Sequence, residues 1–353
     1  MTNASASVCP FAVGGKITDR KSFIGRRDEI ELIISHMQGD QIASVSIVGD
    51  RRIGKSSLLY HIAQTYEERV ANVDRFVVIY LSLQQANCRD RQSFYQTIAA
   101  ELLKLPKVQV RPELANPLQV PPTDEISFEK ILQAWQALQV LPVICLDDFE
   151  ELLDRTDSFD NDFYDDLRSL ITSQKLMLVI ASRKPLMIYS RQKKLTSDFF
   201  NVFTNKRLTE FKDDEAKDLV RLPHPDRSAL GEEKRALALQ WGDRHPCLLQ
   251  IAAWCLWEAK KLDHSHEWAK RQFEERKLGI PRRQSPLKWT IHAVMGLGSF
   301  GQAIGDNIDD WGNFLKGMFI LLLIVALGTG AANWQQVKGW FDNTVQDTKS
   351  NFK

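Results

Sequence analysis

Gly49, Asp50, Arg51, Arg52, Ile53, Gly54, Lys55 and Ser56 stand in the order G-x-x-x-x-G-K-[ST]. Glycines at this spacing let a backbone curl until its N–H groups converge on a polyanion. A β-branched run precedes the stretch and a helical one follows, so a helix N-terminus adds its positive end to the same anion. Lys55 is expected to reach β- and γ-phosphates, the Ser56 hydroxyl to take a Mg²⁺ position, and Ser57 to share the turn. An unrelated glycine turn is the competing reading, and the strand–loop–helix context argues against it.

Such a site needs an acid facing the metal. The run VICLDDFEEL supplies Asp147 and Asp148 at the end of an apolar stretch. Asp147 is expected to hold Mg²⁺ through water, and Asp148 to orient or deprotonate the attacking water. The alternative is that both acids cap a following helix. KLMLVIAS ends in Ser182, and Arg183 follows it. A cation at that tip can sense and stabilise γ-phosphate charge, the alternative being an ordinary surface arginine.

The elements that must position these residues follow from periodicity. Ile30, Ile33, Ile34 and Met37 predict a helix over residues 27–38. IASVSIV, RFVVIYLSL, LPVICLD and KLMLVIAS read as buried strands. Residues 55–70, 91–105 and 127–139 read as helices, and the proline-rich VQVRPELANPLQVPP as a loop. Strands alternating with helices predict an α/β fold, a parallel sheet covered on both faces. From residue 213 the pattern becomes helical, which predicts a smaller helical domain.

Together these residues resemble the AAA+-like branch of P-loop ATPases, and within it the STAND class of signal-transduction ATPases. FIGRRDEI is similar to the box that precedes the phosphate loop, with Gly25 and Arg26 matching; in relatives it lies over adenine. GDRRIGKSSLL, ICLDDFEEL and WGDRHPCLLQIAAW resemble the loop, the acidic strand and the G-x-P module, where His245, Pro246 and Gln250 match. The resemblance implies a five-stranded parallel sheet, ATP with Mg²⁺, nucleotide-binding roles for Gly25, Arg26 and Pro246, and self-assembly into a homo-oligomer. An intersubunit arginine finger is expected among Arg183, Arg191 and Arg207. No guanine-selecting N-K-x-D stands in the chain.

The bulk numbers bound the rest. The 353 residues carry a net charge of +1, which gives no reason to expect a nucleic-acid partner. Five scattered cysteines form no CxxC, which indicates a reducing compartment, and no signal peptide is evident at the N-terminus. Residues 1–22 are small and polar and are expected to pack weakly. Residues 23–212 form the expected ATPase core, 213–280 the helical lid, and 281–312 a linker or amphipathic segment. Residues 314–334 at about 1.5 Å per residue span roughly 31 Å, matching a hydrocarbon core of about 30 Å. Trp311, Trp334 and Trp340 flank them as an aromatic belt would. The expected organisation therefore ends in a transmembrane helix over 313–334 and a short tail over 335–353. The ATPase domain is expected on the cytoplasmic face of a membrane.

The implied function is a membrane-anchored ATP-hydrolysing switch that assembles on nucleotide binding, with an unidentified protein partner or trigger. A stress or antiviral effector role is what the resemblance implies. Two rivals stand beside it: a AAA+-type remodeller of a membrane-protein client, and a non-hydrolysing ATP-dependent tether.

Overall fold

The computed structural model describes residues 9–223 and 228–280. Helix α1 (Arg27–Gln38) buries the four apolar residues its spacing singles out. Then come β1 (Val45–Val48), α2 (Lys55–Thr65) and β2 (Phe76–Ser82). Helix α3 (Arg91–Leu103), the short α4 (Pro106–Gln109) and α5 (Pro112–Ala115), and α6 (Glu125–Ala137) lead to β3 (Leu141–Asp147). The short α7 (Glu150–Leu153), α8 (Asn161–Thr172), β4 (Met177–Ser182), α9 (Leu186–Lys193) and β5 (Thr204–Arg207) complete the core.

The five strands are parallel, in the order β2-β3-β4-β1-β5. Residues of β1, β3 and β4 are buried without exception, as helices on both faces require. Strand β5 reads TNKR and is half exposed. It lies at the sheet edge, where polar side chains are tolerated and no apolar run marks the strand in the sequence.

Two local expectations change. The helix predicted over 55–70 ends at Thr65, and a 3₁₀ turn over Tyr66–Glu68 follows. The proline-rich segment folds as α4, α5 and a 3₁₀ turn over Asn116–Leu118. Pro106 just ahead of it, Pro112 and Pro117 occupy first turns, where a missing N–H is harmless, and Pro121 and Pro122 lie in the loop before α6. This lets Val108, Leu114 and Leu118 be buried, and the Leu114 carbonyl accepts from Trp135 Nε1 at 3.1 Å.

Helices α10 (Asp213–Leu219), α11 (Glu232–Gly242), α12 (Pro246–Lys261) and α13 (His266–Lys277) have their own core around Leu248, Leu249, Leu256 and Phe273. Phe11, 4% exposed, belongs to that core. Residues 11–17 are therefore docked, by one buried phenylalanine and backbone hydrogen bonds from Ala12 and Ile17, although their small side chains suggested weak packing, while residues 18–21 are exposed. Residues 1–8 and the whole of 281–353, with the transmembrane helix expected over 313–334, lie outside the described residues. Among the described residues no helix is long and apolar enough to cross a membrane.

Candidate functional site

Strand β1 runs directly into the glycine loop. Gly49 N donates to Ser182 O at 3.2 Å, tying the base of the loop to the tip of β4. Gly54 sits at φ +102 as the N-cap of α2, a conformation in which a side chain would be strained. Lys55 Nζ donates to the carbonyls of Gly49 (2.8 Å) and Asp50 (3.1 Å), so the ammonium spans the loop's mouth. Burial pushes the Lys55 pKa down, while the charges of Glu150, Asp147 and Asp148 oppose that shift.

A cavity of about 370 Å³ opens here. Arg52, Ile53, Gly54, Lys55, Ser56 and Ser57 line it; Gly49, Asp50 and Arg51 do not. Asp147, at the end of β3, is 2% exposed. Its Oδ2 accepts from the Tyr80 hydroxyl at 2.8 Å, while its Oδ1 is buried without a hydrogen-bond partner. Leaving such an oxygen unsatisfied costs about 1–3 kcal/mol, and a hydrated divalent cation would satisfy it. The oxygen donors of Asp147 and Ser56, both facing the cavity, fit Mg²⁺. Among the described residues no cluster of three His, Cys, Asp or Glu could hold a metal alone. A cation there would take its remaining ligands from outside these side chains.

Asp148 also lines the cavity, at φ +56, with the Ser82 hydroxyl 3.5 Å from its Oδ2. Burial first, and the charge of Asp147 second, raise its pKa above the ordinary carboxylate value. Arg183, just beyond β4, does not line the cavity; its Nε donates to Glu150 Oε1 at 2.8 Å. Glu150 is buried, its Oε2 has no hydrogen-bond partner, and burial raises its pKa. Sequence reasoning passed over Glu150 as one more acid in a run. The signal was topological: β3 and β4 are neighbours, so the residues after Asp147 and Ser182 must meet. Arg191 on α9 and Arg207 at the end of β5 are exposed and outside the cavity lining.

The opposite wall is built at long range. Gly25 does not itself line the cavity; it has φ +75, and a Cβ there would stand 2.7 Å from Glu215 Oε1. Glu215, on α10, accepts from Arg26 N at 2.5 Å and from Lys212 N at 2.8 Å. Arg26 is buried, donates from Nη2 to Ile53 O at 2.9 Å, and stacks its guanidinium 4.7 Å from the Phe211 ring centroid. One arginine thus joins the glycine loop to the first helix of the helical domain. Pro246, the first residue of α12, lines the cavity with Cys247 and Gln250. Ala12, Gly14, Gly15, Lys16 and Ile17 also line it, and the sequence carries no motif that marks them. Beside them Phe23 stacks on His61 at 3.9 Å, and burial pushes the His61 pKa down to about 4.

A parallel five-stranded sheet with this loop and acid defines an α/β P-loop nucleotide-binding fold. Residues 40–185 match the family model described as AAA domain, so this part of the chain is similar to P-loop domains of the AAA type. A comparison with curated protein sequences finds no match. Among solved structures, the chain is similar to a Walker-type ATPase of Pyrococcus abyssi. That pair is 16% identical with a TM-score of 0.56, covering 76% of each chain. It is also similar to the ORC2 protein of Aeropyrum pernix, solved in ADPNP–ADP complexes, with 13% identity, a TM-score of 0.51, and coverage of 94% of this chain and 90% of that one. Drosophila ORC bound to DNA gives 13% identity and a TM-score of 0.51, covering 73% of this chain and 68% of that one. At these identities the likeness concerns the fold.

Proposed function

We propose that this chain is an ATP-dependent switch of the STAND kind that binds Mg·ATP in the cavity, hydrolyses it and assembles into a homo-oligomer. The observation that carries the reading is Arg26. Its guanidinium holds the loop carbonyl of Ile53, while its backbone N–H is held by Glu215 of the helical domain. A loop that shifts around a phosphate pulls on α10 through that single residue. In this reading Lys55 neutralises the phosphates and the raised pKa of Asp148 suits a group that takes a proton from water. Glu150 holds Arg183 just outside the cavity, where its charge is felt at Lys55, and Pro246 closes the far side. Mg²⁺ held by Ser56 and Asp147 would supply the remaining charge neutralisation.

The output belongs at a membrane, through the apolar residues 313–334, with the ATPase domain on the cytoplasmic side. A stress or antiviral effector role and a protein trigger extend the same reading. With a net charge of +1, nucleic acid is not part of it. The test is the mass of the detergent-solubilised full-length protein with Mg·ATP, with ADP, and as Lys55→Ala. Mass rising only for wild type in ATP supports the switch. One mass in all three conditions rejects it, in favour of a pre-formed remodeller or a tether with structural ATP.

A further inference from the structure

Residues 11–17 join two parts of the molecule across the mouth of one cavity. At one end Phe11 is buried in the helical-domain core, and Ala12 N donates to Gln250 Oε1 at 3.0 Å. At the other end Ile17 N donates to Ser57 Oγ at 2.9 Å, on the helix that begins with Lys55. Between these fastenings lie Gly14 and Gly15, with no atom within 4 Å of a Cβ built on either. Then comes Lys16, which also lines the cavity.

Lys16 Nζ lies 4.1 Å from the Tyr80 ring centroid and 4.8 Å from that of Tyr60. The two rings meet edge to face at 5.4 Å, so they form a corner for the ammonium. The Tyr80 hydroxyl donates to Asp147 Oδ2, which places Lys16 on the side of the cavity where the metal-facing acid stands. Lys16 makes no ion pair among the described residues. Of the other cations lining the cavity, Lys55 donates to loop carbonyls and Arg26 to Ile53 O with its guanidinium on Phe211, while Arg52 is exposed on the glycine loop beside Cys247, away from the tyrosine corner. Two carboxylates, Asp147 and Asp148, line the same cavity. A negatively charged magnesium nucleotide placed beside them calls for one more positive charge.

We propose that Lys16 is a phosphate-directed cation of the nucleotide cavity, delivered by a strap over residues 11–17 that fastens the helical domain to the phosphate-loop helix. The assignment rests on the nucleotide reading above. An aromatic face holds an ammonium more weakly than a phosphate oxygen does, so Lys16 leaves the tyrosine corner when the anion arrives. Because the strap is tied to Gln250, that movement is felt in α12 as well as at the loop.

The experiment is equilibrium binding of Mg·ATP, Mg·ADP and adenosine to the full-length protein, as wild type, Lys16→Met, Lys16→Arg and Lys55→Ala. Melting temperatures establish that each variant is folded. Lys16→Met keeps the apolar stem and loses the charge. Its Kd for Mg·ATP is expected to rise about tenfold, with adenosine unchanged and Lys16→Arg close to wild type. Unchanged ATP affinity in Lys16→Met, or equal losses for ATP and adenosine, overturns the assignment and leaves Lys16 a packing residue. Wild type that binds none of the three overturns the nucleotide reading itself, a distinguishable failure.

Discussion

The two walls of the cavity are built in opposite ways. The phosphate wall is local: one strand, one loop and one helix supply Lys55 and Ser56 within a few residues, and Asp147 ends the strand two places away in the sheet. The far wall is assembled from chain segments up to 238 residues apart, as in the hydrogen bond from Ala12 to Gln250. A local wall can grip an anion whatever the rest of the chain does. A long-range wall exists only when the helical domain is docked, so it is the wall through which binding can change the shape of the molecule.

Phe11→Ala attacks the far wall most severely. It empties a fully packed aromatic position in the helical-domain core, and an aromatic-to-alanine change of this kind costs about 3–5 kcal/mol. Chemical denaturation is expected to show that loss, with residues 11–17 becoming protease-sensitive while the α/β core stays protected. Glu215→Ala is next. It leaves Arg26 N and Lys212 N without their acceptor, at about 2 kcal/mol, and frees α10 from the loop. ATP affinity should fall less than stability, because the phosphate wall is untouched.

The pH dependence of hydrolysis sharpens the same contrast. Asp148 has a raised pKa and must be ionised to accept a proton. The acid limb of the rate profile is therefore expected above the ordinary carboxylate value of about 4, and Asp148→Asn should abolish that limb with the rate. His61 gives the smallest effect. Its folded pKa of about 4 lies below the ordinary histidine value of 6.5. The unfolded chain therefore binds the proton first, and stability falls as pH drops from about 6.5 towards 4. Denaturation curves across that window should show a loss of stability in wild type, and a smaller one in His61→Phe, which keeps the stack on Phe23.

The same division explains what was legible in the sequence. The loop, the acidic strand and α1 could be read because their signals are contiguous: a motif, an apolar run, a 3.6-residue period. Strand β5 was implied only through the resemblance, since TNKR at a sheet edge carries no apolar pattern. Glu150 was hidden because its partner Arg183 lies on a different loop, brought near by strand order alone. The strap was misread because small and polar residues look unpacked when the cavity and the helical domain that receive them are far away in the chain. Arg26 was legible through its match to the family box, but its bridge from Ile53 to Glu215 was not.

The most direct measurement is calorimetric titration of the full-length wild type and Lys55→Ala with Mg·ATP. Removing a charge-assisted contact to phosphate should weaken binding at least about 30-fold, with melting temperature unchanged. A saturating wild-type isotherm that disappears in the variant is the expected result. Equal affinity in both proteins, or no heat in either, would contradict the assignment of this cavity to a nucleotide.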